Sequence, residues 1–334
     1  MTHLRRAILQ VHTVARCLVA ASVLFIATSA SPTQAQDYPG KPIRCIVPYV
    51  PGGSSDFLAR LIGQKLTDAW GQQVVIDNRS GAAGNIGTDA AAKAPPDGYT
   101  MLLVASTVTM NPSIYSKLPF DTEKDLLPVT QILWQPWLLS VHPSLPATNL
   151  KQLLALAKAK PGELNYASGG SGTSGHIAAE LFASMAGVKF THVPYRSLGP
   201  AGTALLTGEV QLVFQSPIAG LEHVRSGRIR PIGVSGRSRM AALPQVPTIL
   251  EGGLPGYDEG NWQGIFVPAQ TPRAVVNKLN QELVRILKAA DVTDSVRRVG
   301  GNVIASTPEE FGAVVRADLK KYAALVKAVG IRAD

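Results

Sequence analysis

Twice in this chain an apolar run of strand length ends in a glycine-rich loop that opens directly into a helical pattern. The first is Ile43–Tyr49, then Val50-Pro-Gly-Gly-Ser54, then Phe57, Leu58, Leu61, Ile62 and Leu66 at helical spacing. The second is Leu164–Ser168, then Gly-Gly-Ser-Gly-Thr-Ser-Gly, then a helix over His176–Ala186. A strand that hands over to a helix through a short loop packs that helix back on the sheet, so each element is the start of an α/β layer. Further alternation follows each one. Val74–Ile76 reads as a strand, Thr88–Lys93 as a helix and Thr100–Ala105 as a buried strand. In the second half Trp137–Val141, Lys189–Val193 and Gln211–Gln215 read as strands, with Leu150–Lys158 and Pro200–Thr207 as helices. This order predicts two α/β units built on parallel sheets. Amphipathic helices over Pro272–Ala290 and Pro308–Val329 close the chain and are expected to pack back on the first unit.

The predicted fold class is therefore α/β, in two lobes with a ligand cleft between them. Lobe 1 is expected to comprise 36–136 plus 255–334, and lobe 2 to comprise 137–254. At 334 residues the chain is long enough for two such lobes.

Residues 1–35 have the pattern of an address. Arg5, Arg6 and Arg16 precede the apolar run CLVAASVLFIAT, which is too short to span a bilayer, and Thr33-Gln34-Ala35 offers a small-residue cleavage site. This predicts a signal peptide cleaved after Ala35 and a periplasmic mature chain; an N-terminal anchor is the rival reading. Cleavage leaves 29 basic against 23 acidic residues, a net charge of +6. The basic residues are scattered, so no nucleic-acid-binding stripe forms. Cys45 then stands as the one cysteine of the mature chain, in an apolar run where a buried thiol is expected.

Both glycine loops deliver a helix start to the C-terminal end of a strand, where α/β sheets bind ligands. Unsatisfied N–H groups and the positive end of the helix dipole favour an anion there. The second loop also matches G-x-G-x-x-G over Gly170–Gly175. A dinucleotide site wants an acid about 20 residues on, whereas Phe190–Arg196 reads FTHVPYR. No G-x-S-x-G, H-E-x-x-H or P-loop pattern occurs, and His142, His176, His192 and His223 lack metal-ligand spacing. The chain is thus read as a binding protein rather than an enzyme, with no catalytic residue, metal or cofactor expected. His176, opening the second helix, is read first as a brace for its loop.

The runs YPGKPIRCIVPYVPGGSSDFLAR, DNRSGAAGNIGTDAAAKAPPDGYTMLL, NYASGGSGTSGHIAAELF, VPYRSLGPA and NWQGIFVPAQTP together resemble the Bug family. These are periplasmic solute-binding proteins of tripartite tricarboxylate transporters. The resemblance implies a two-lobed, Venus-flytrap-like fold, usually monomeric, with a large and a small membrane subunit as partners. It also implies a small carboxylate held between the two glycine loops. Carried onto this sequence, the family's ligand-binding positions are Tyr49, Gly52, Gly53, Ser54 and Asp56 in the first loop and Ser168, Gly172, Thr173 and His176 in the second. Ser106 and Thr107, after the Thr100–Ala105 strand, are expected to face the same cleft. Asp56 is an odd contact for an anion and is read as a cap that organises its loop. Arg196 stands where it can reach a second carboxylate. Gln215, where many members carry an acid, argues against an amino-acid ligand. Two other functions stay open on sequence: a periplasmic α/β enzyme acting on a carboxylate ester or amide, and a ligand-sensing partner of a membrane receptor.

Overall fold

Strand β1 (Ile43–Val47) is fully inside a sheet because four of its five residues are buried, which fits a run without alternation. In the computed structural model the described residues are 38–332, apart from Ala241, Val299 and the side chain of Ile218; the predicted signal segment lies outside them. The chain divides into two units, Met1–Gly40 and Lys41–Asp334, and the architecture below is that of the second.

β1 leads into α1 (Ser54–Trp70), β2 (Val74–Asn78), α2 (Asn85–Ala92), β3 (Thr100–Ala105), α3 (Thr107–Ile114) and the long β4 (Leu126–Pro136). The chain then crosses at Trp137 into β5 (Leu138–Val141), α4 (Leu150–Ala159), β6 (Asn165–Ser168), α5 (Ser174–Ala186), β7 (Thr191–Pro194), α6 (Leu198–Thr207), β8 (Leu212–Gln215), α7 (Pro217–Arg225) and β9 (Arg230–Val234). It returns in β10 (Gly260–Pro268), followed by α8 (Arg273–Leu287), α9 (Ala290–Arg298), β11 (Asn302–Val303) and α10 (Pro308–Val329). One sheet has the order β11-β4-β10-β3-β1-β2 and the other β7-β6-β8-β5-β9. The α/β class and the two-lobed plan expected from the sequence are present.

The sheets differ from the expected parallel ones. β1 pairs in parallel with β2 and β3, and β6 with β7 and β8. β10 runs antiparallel between β3 and β4, however, and β5 runs antiparallel between β8 and β9. The reason is the crossing itself. β4 leaves the first sheet and β10 re-enters it, so the two strands point in opposite directions and pair along nearly their whole length, from Gly260 opposite Pro136 to Pro268 opposite Leu126. β4, α3, α7, β9, β10, α9 and β11 are additional to the elements read from the sequence.

A core of Ile46, Leu102, Trp262, Phe266 and Phe311 lies on one face of the first sheet. Another, of Leu139, Tyr166, Phe182, Phe214 and Tyr257, fills the second. The closing helix α10 serves both: Tyr322 and Leu325 pack with Met110 and Ile114 of α3 and with Ile177 of α5. It begins with a full capping box between Thr307 and Glu310. Cys45 is buried, and burial pushes its thiol up to about 12, which keeps it protonated.

At Gly264 the backbone of β10 passes directly under the ring of Phe311, where a Cβ would lie 2.2 Å from its Cζ. Phe311 has no exposure and no room to retreat. Gly264→Ala should therefore lower stability by about 2 kcal/mol or more, seen as a lower urea midpoint at unchanged slope. Adding Phe311→Leu should recover part of that loss in a double-mutant cycle; strictly additive losses would show that the two residues do not share the contact.

Candidate functional site

The first loop is organised from behind. Asp56, in the first turn of α1, is 4% exposed and accepts the N–H of Gly52 at 2.9 Å and the Nε–H of Arg60 at 3.0 Å. Those bonds, Arg60's first, hold its carboxyl below its ordinary range against the opposing effect of burial. Asp56 thus fixes the loop, as the sequence suggested, but the N-cap position itself belongs to Gly53, and no side chain caps the helix. Gly52 has φ +86°, which a side chain would strain; at Gly53, with φ −81°, a Cβ would make only an ordinary 3.8 Å contact with the Val50 carbonyl. Ser54 is exposed, and its Oγ receives the Nε2–H of Gln263 at 3.3 Å.

Tyr49, just before this loop, reaches across to the end of β3. Its hydroxyl lies 2.8 Å from Thr107 Oγ1 and accepts the N–H of Ala105 at 3.1 Å. Burial pushes that hydroxyl up, so it stays protonated. Ser106 is buried, takes its N–H to the carbonyl of Trp262 at 2.9 Å and donates its hydroxyl to Asn261 Oδ1 at 3.0 Å. The first-sheet residues named from the sequence therefore do gather, around the ends of β1 and β3.

A second group forms on the other sheet. Ser168 has no exposure, donates to the carbonyl of Gly170 at 3.1 Å and lies 2.6 Å from His192 Nε2. Thr173 is the N-cap of α5, yet its hydroxyl also donates to Gly170, at 2.8 Å, rather than accepting a helix N–H. His176 Nδ1 accepts the N–H of Gly172 at 3.0 Å, across a turn in which Gly172 has φ +76°. His176 is thus the brace of its loop.

Sequence reasoning missed His192. Its ring lies 4.0 Å from that of His176 and 4.8 Å from that of Tyr166, the three stacked nearly parallel. A strand residue that contacts a helix start through a ring stack leaves no spacing signal. Asn85 and Asn111 were missed in the same way: Asn111 Nδ2 donates to Asn85 Oδ1 at 2.6 Å and to the carbonyl of Ala83 at 3.2 Å, steadying the loop that packs on Tyr49.

Two further named residues flank the second loop, whose Gly170 lies against the Tyr195 carbonyl, next to Arg196, and whose Gly175 lies against the Phe214 carbonyl, next to Gln215. Gln215 is buried, and its Nε2 donates to Ser140 Oγ at 3.0 Å, inside the second sheet. Arg196 is exposed, just ahead of α6.

Burial pushes the His176 ring down to about 3, with a further push from His192, and burial takes His192 down to about 4. Both are neutral in the fold at pH 7, as His176 must be for Nδ1 to accept a bond. In the unfolded chain both protonate below about 6.5. The unfolded state then binds more protons than the folded one, so stability is complete above about pH 6.5 and falls as pH drops toward 3. For His176 the slope should reach about 1.4 kcal/mol per pH unit. Urea unfolding at pH 7 and pH 4.5 checks this, and His176→Gln should flatten the profile; an unchanged profile would place the ring in solvent.

Residues 58–331 match the profile of the family described as "Tripartite tricarboxylate transporter family receptor". BugT of Bordetella pertussis is 35% identical over 319 residues, 94% of this chain and 98% of its own. A structure from R. palustris solved with adipate is 35% identical, with a TM-score of 0.78 over 89% of this chain and 99% of that one. MatC of Rhodopseudomonas palustris, solved with malate, is 28% identical, with a TM-score of 0.75 over 86% of this chain and all of that one.

Proposed function

Because the chain belongs to the tripartite tricarboxylate transporter receptor family, the Bug family named from its motifs, we propose that it captures a small carboxylate between its two glycine loops. In this reading Gly52, Gly53 and Ser54 present one helix start, and Gly172, Thr173 and Ser174 present the other. Lobe 1 comprises 36–136 plus 255–334 and lobe 2 comprises 137–254, and the lobes close on the ligand. The mature chain is periplasmic after cleavage of residues 1–35, and it hands its cargo to a large and a small membrane subunit.

The observation that carries the proposal is that neither loop's helix spends its first-turn N–H groups on a capping side chain. Gly53 has no side chain to offer, and Thr173 turns its hydroxyl to Gly170. In the same molecule Asn149 and Thr307 do cap α4 and α10, and although α2, α3, α6, α7 and α8 also start without a side-chain cap, α1 and α5 are the ones that follow the two glycine loops at a strand's C-terminal end. Each uncapped terminus favours a nearby anion by about 0.3–1 kcal/mol, up to about 2 when partly buried. Each bond to a charged ligand adds on the order of 1.5–3 kcal/mol. Two termini together reach the roughly 8 kcal/mol of micromolar affinity without a dedicated arginine, which suits an Arg196 left in solvent. The adipate and malate held by its relatives are ligands of this chemistry.

A thermal-shift panel of linear dicarboxylates on residues 36–334 tests the proposal. A ligand at about 100 times its Kd should add about 2.7 kcal/mol and be recovered chemically unchanged. Gly53→Val adds bulk where the backbone tolerates it and the Cβ meets only the Val50 carbonyl, at 3.8 Å. It should therefore leave the ligand-free Tm within a few degrees and weaken binding by about tenfold or more. Wild-type affinity in that variant would remove the first loop from the site, and consumption of the ligand would point to an enzyme.

A further inference from the structure

β10 contributes one side chain to the first loop that the glycine motifs do not announce. Gly264 turns toward Phe311 on one face of the sheet, so Gln263, its neighbour, points to the opposite face, where α1 begins. Gln263 sits opposite Ala105 on β3, beside the strand end that Tyr49 holds. The ladder with β4 slips between Gln263 and Gly264, a break of the kind that accumulates beside functional sites.

The side chain is 1% exposed. Its Nε2 donates to Ser54 Oγ, and its Oε1 is buried with no partner among the described residues. A buried carboxamide oxygen left unpaired costs on the order of 1–3 kcal/mol, and native interiors seldom tolerate one that nothing fills. Neighbouring groups are already engaged: Ser106 donates to Asn261, and Tyr49 is tied to Thr107 and Ala105.

We infer that Gln263 is a specificity-determining residue, whose Oε1 accepts a hydrogen bond from a hydroxyl on the ligand and so selects hydroxycarboxylates over the same acids without the hydroxyl. The assignment rests on the carboxylate reading above. A carboxylate has no proton to donate to Oε1. An ammonium does, but buried there it would need an anion beside it. The acid of this loop, Asp56, is already committed to Gly52 and Arg60. A hydroxyl satisfies the oxygen at no such cost.

Calorimetric titration of matched acids is the test, on whichever carbon chain the wild type binds: malate, succinate and aspartate for four carbons, 3-hydroxyadipate and adipate for six. The wild type should hold the hydroxy acid about tenfold tighter than its parent, the yield of one neutral hydrogen bond. Gln263→Met keeps the length and removes the polar end. It should bring that ratio to about one while leaving the parent acid's Kd within about threefold. Ser54→Ala frees the anchored end of the amide and should shrink the same ratio, which covers the case of a Met variant whose ligand-free Tm shows that it is misfolded. Equal affinities in the wild type, a preference for aspartate, or a ratio that survives both substitutions overturns the assignment. A uniform loss for both acids also overturns it, because a merely structural role moves both alike. If no carboxylate binds at all, the carboxylate reading is what fails, and this assignment falls with it.

Discussion

Everything in the two-sheet unit hangs on a crossing made by Ser235. Its N–H reaches the carbonyl of Trp137 at 2.9 Å, and its hydroxyl accepts the N–H of Trp137 at 2.7 Å and donates to the carbonyl of Glu259. Glu259 returns its own N–H to the Ser235 carbonyl at 3.1 Å. The outgoing strand, the returning strand and the edge of the second sheet thus meet at one residue with no exposure. Backbone groups at such a junction have no regular ladder to join, and the serine supplies the missing partners. The Glu259 side chain, fully buried, then takes the Tyr322 hydroxyl at 2.7 Å and the Lys321 ammonium at 2.8 Å. Burial raises this carboxyl, opposed chiefly by Lys321. The pair fastens the closing helix to the crossing.

The antiparallel strands follow from that crossing, and so does the placement of both loops. With β4 and β10 paired along their length, the ends of β1 and β3 lie beside the start of β10. Gly52–Asp56, Ser106 and Gln263 consequently come from segments far apart in sequence. The second sheet repeats the arrangement with its own strand ends, at Ser168 and Gln215.

The loops have the same outline but are held by different chemistry. In the first, an ionised carboxylate grips a backbone N–H and is itself gripped by Arg60. In the second, a neutral imidazole does the gripping, kept neutral by burial in a ring stack. Both solutions leave the helix starts uncapped by side chains. Neither bracing group adds a positive charge of its own, so it is the oriented backbone dipoles of the helix starts that would face an anion.

Much of this was legible in the sequence, where local patterns carry it. The strand–glycine loop–helix units fixed β1–α1 and β6–α5 because a buried strand, a turn and an amphipathic helix each write a local period. The brace roles of Asp56 and His176 could be read from their places in the first turn. β4, β10 and the antiparallel pairing could not, because the direction in which a strand enters a sheet depends on where the chain was before it. His192, Asn111 and Gln263 escaped for the same reason: each acts on a partner in another element, with no spacing to betray it. The sequence by itself determined the α/β units, the loops and their helix starts, which depend on neighbours within a few residues. Only the tertiary structure decided which side chains stand behind those loops and which buried oxygen is left unpaired, since burial and partnership belong to the packed chain.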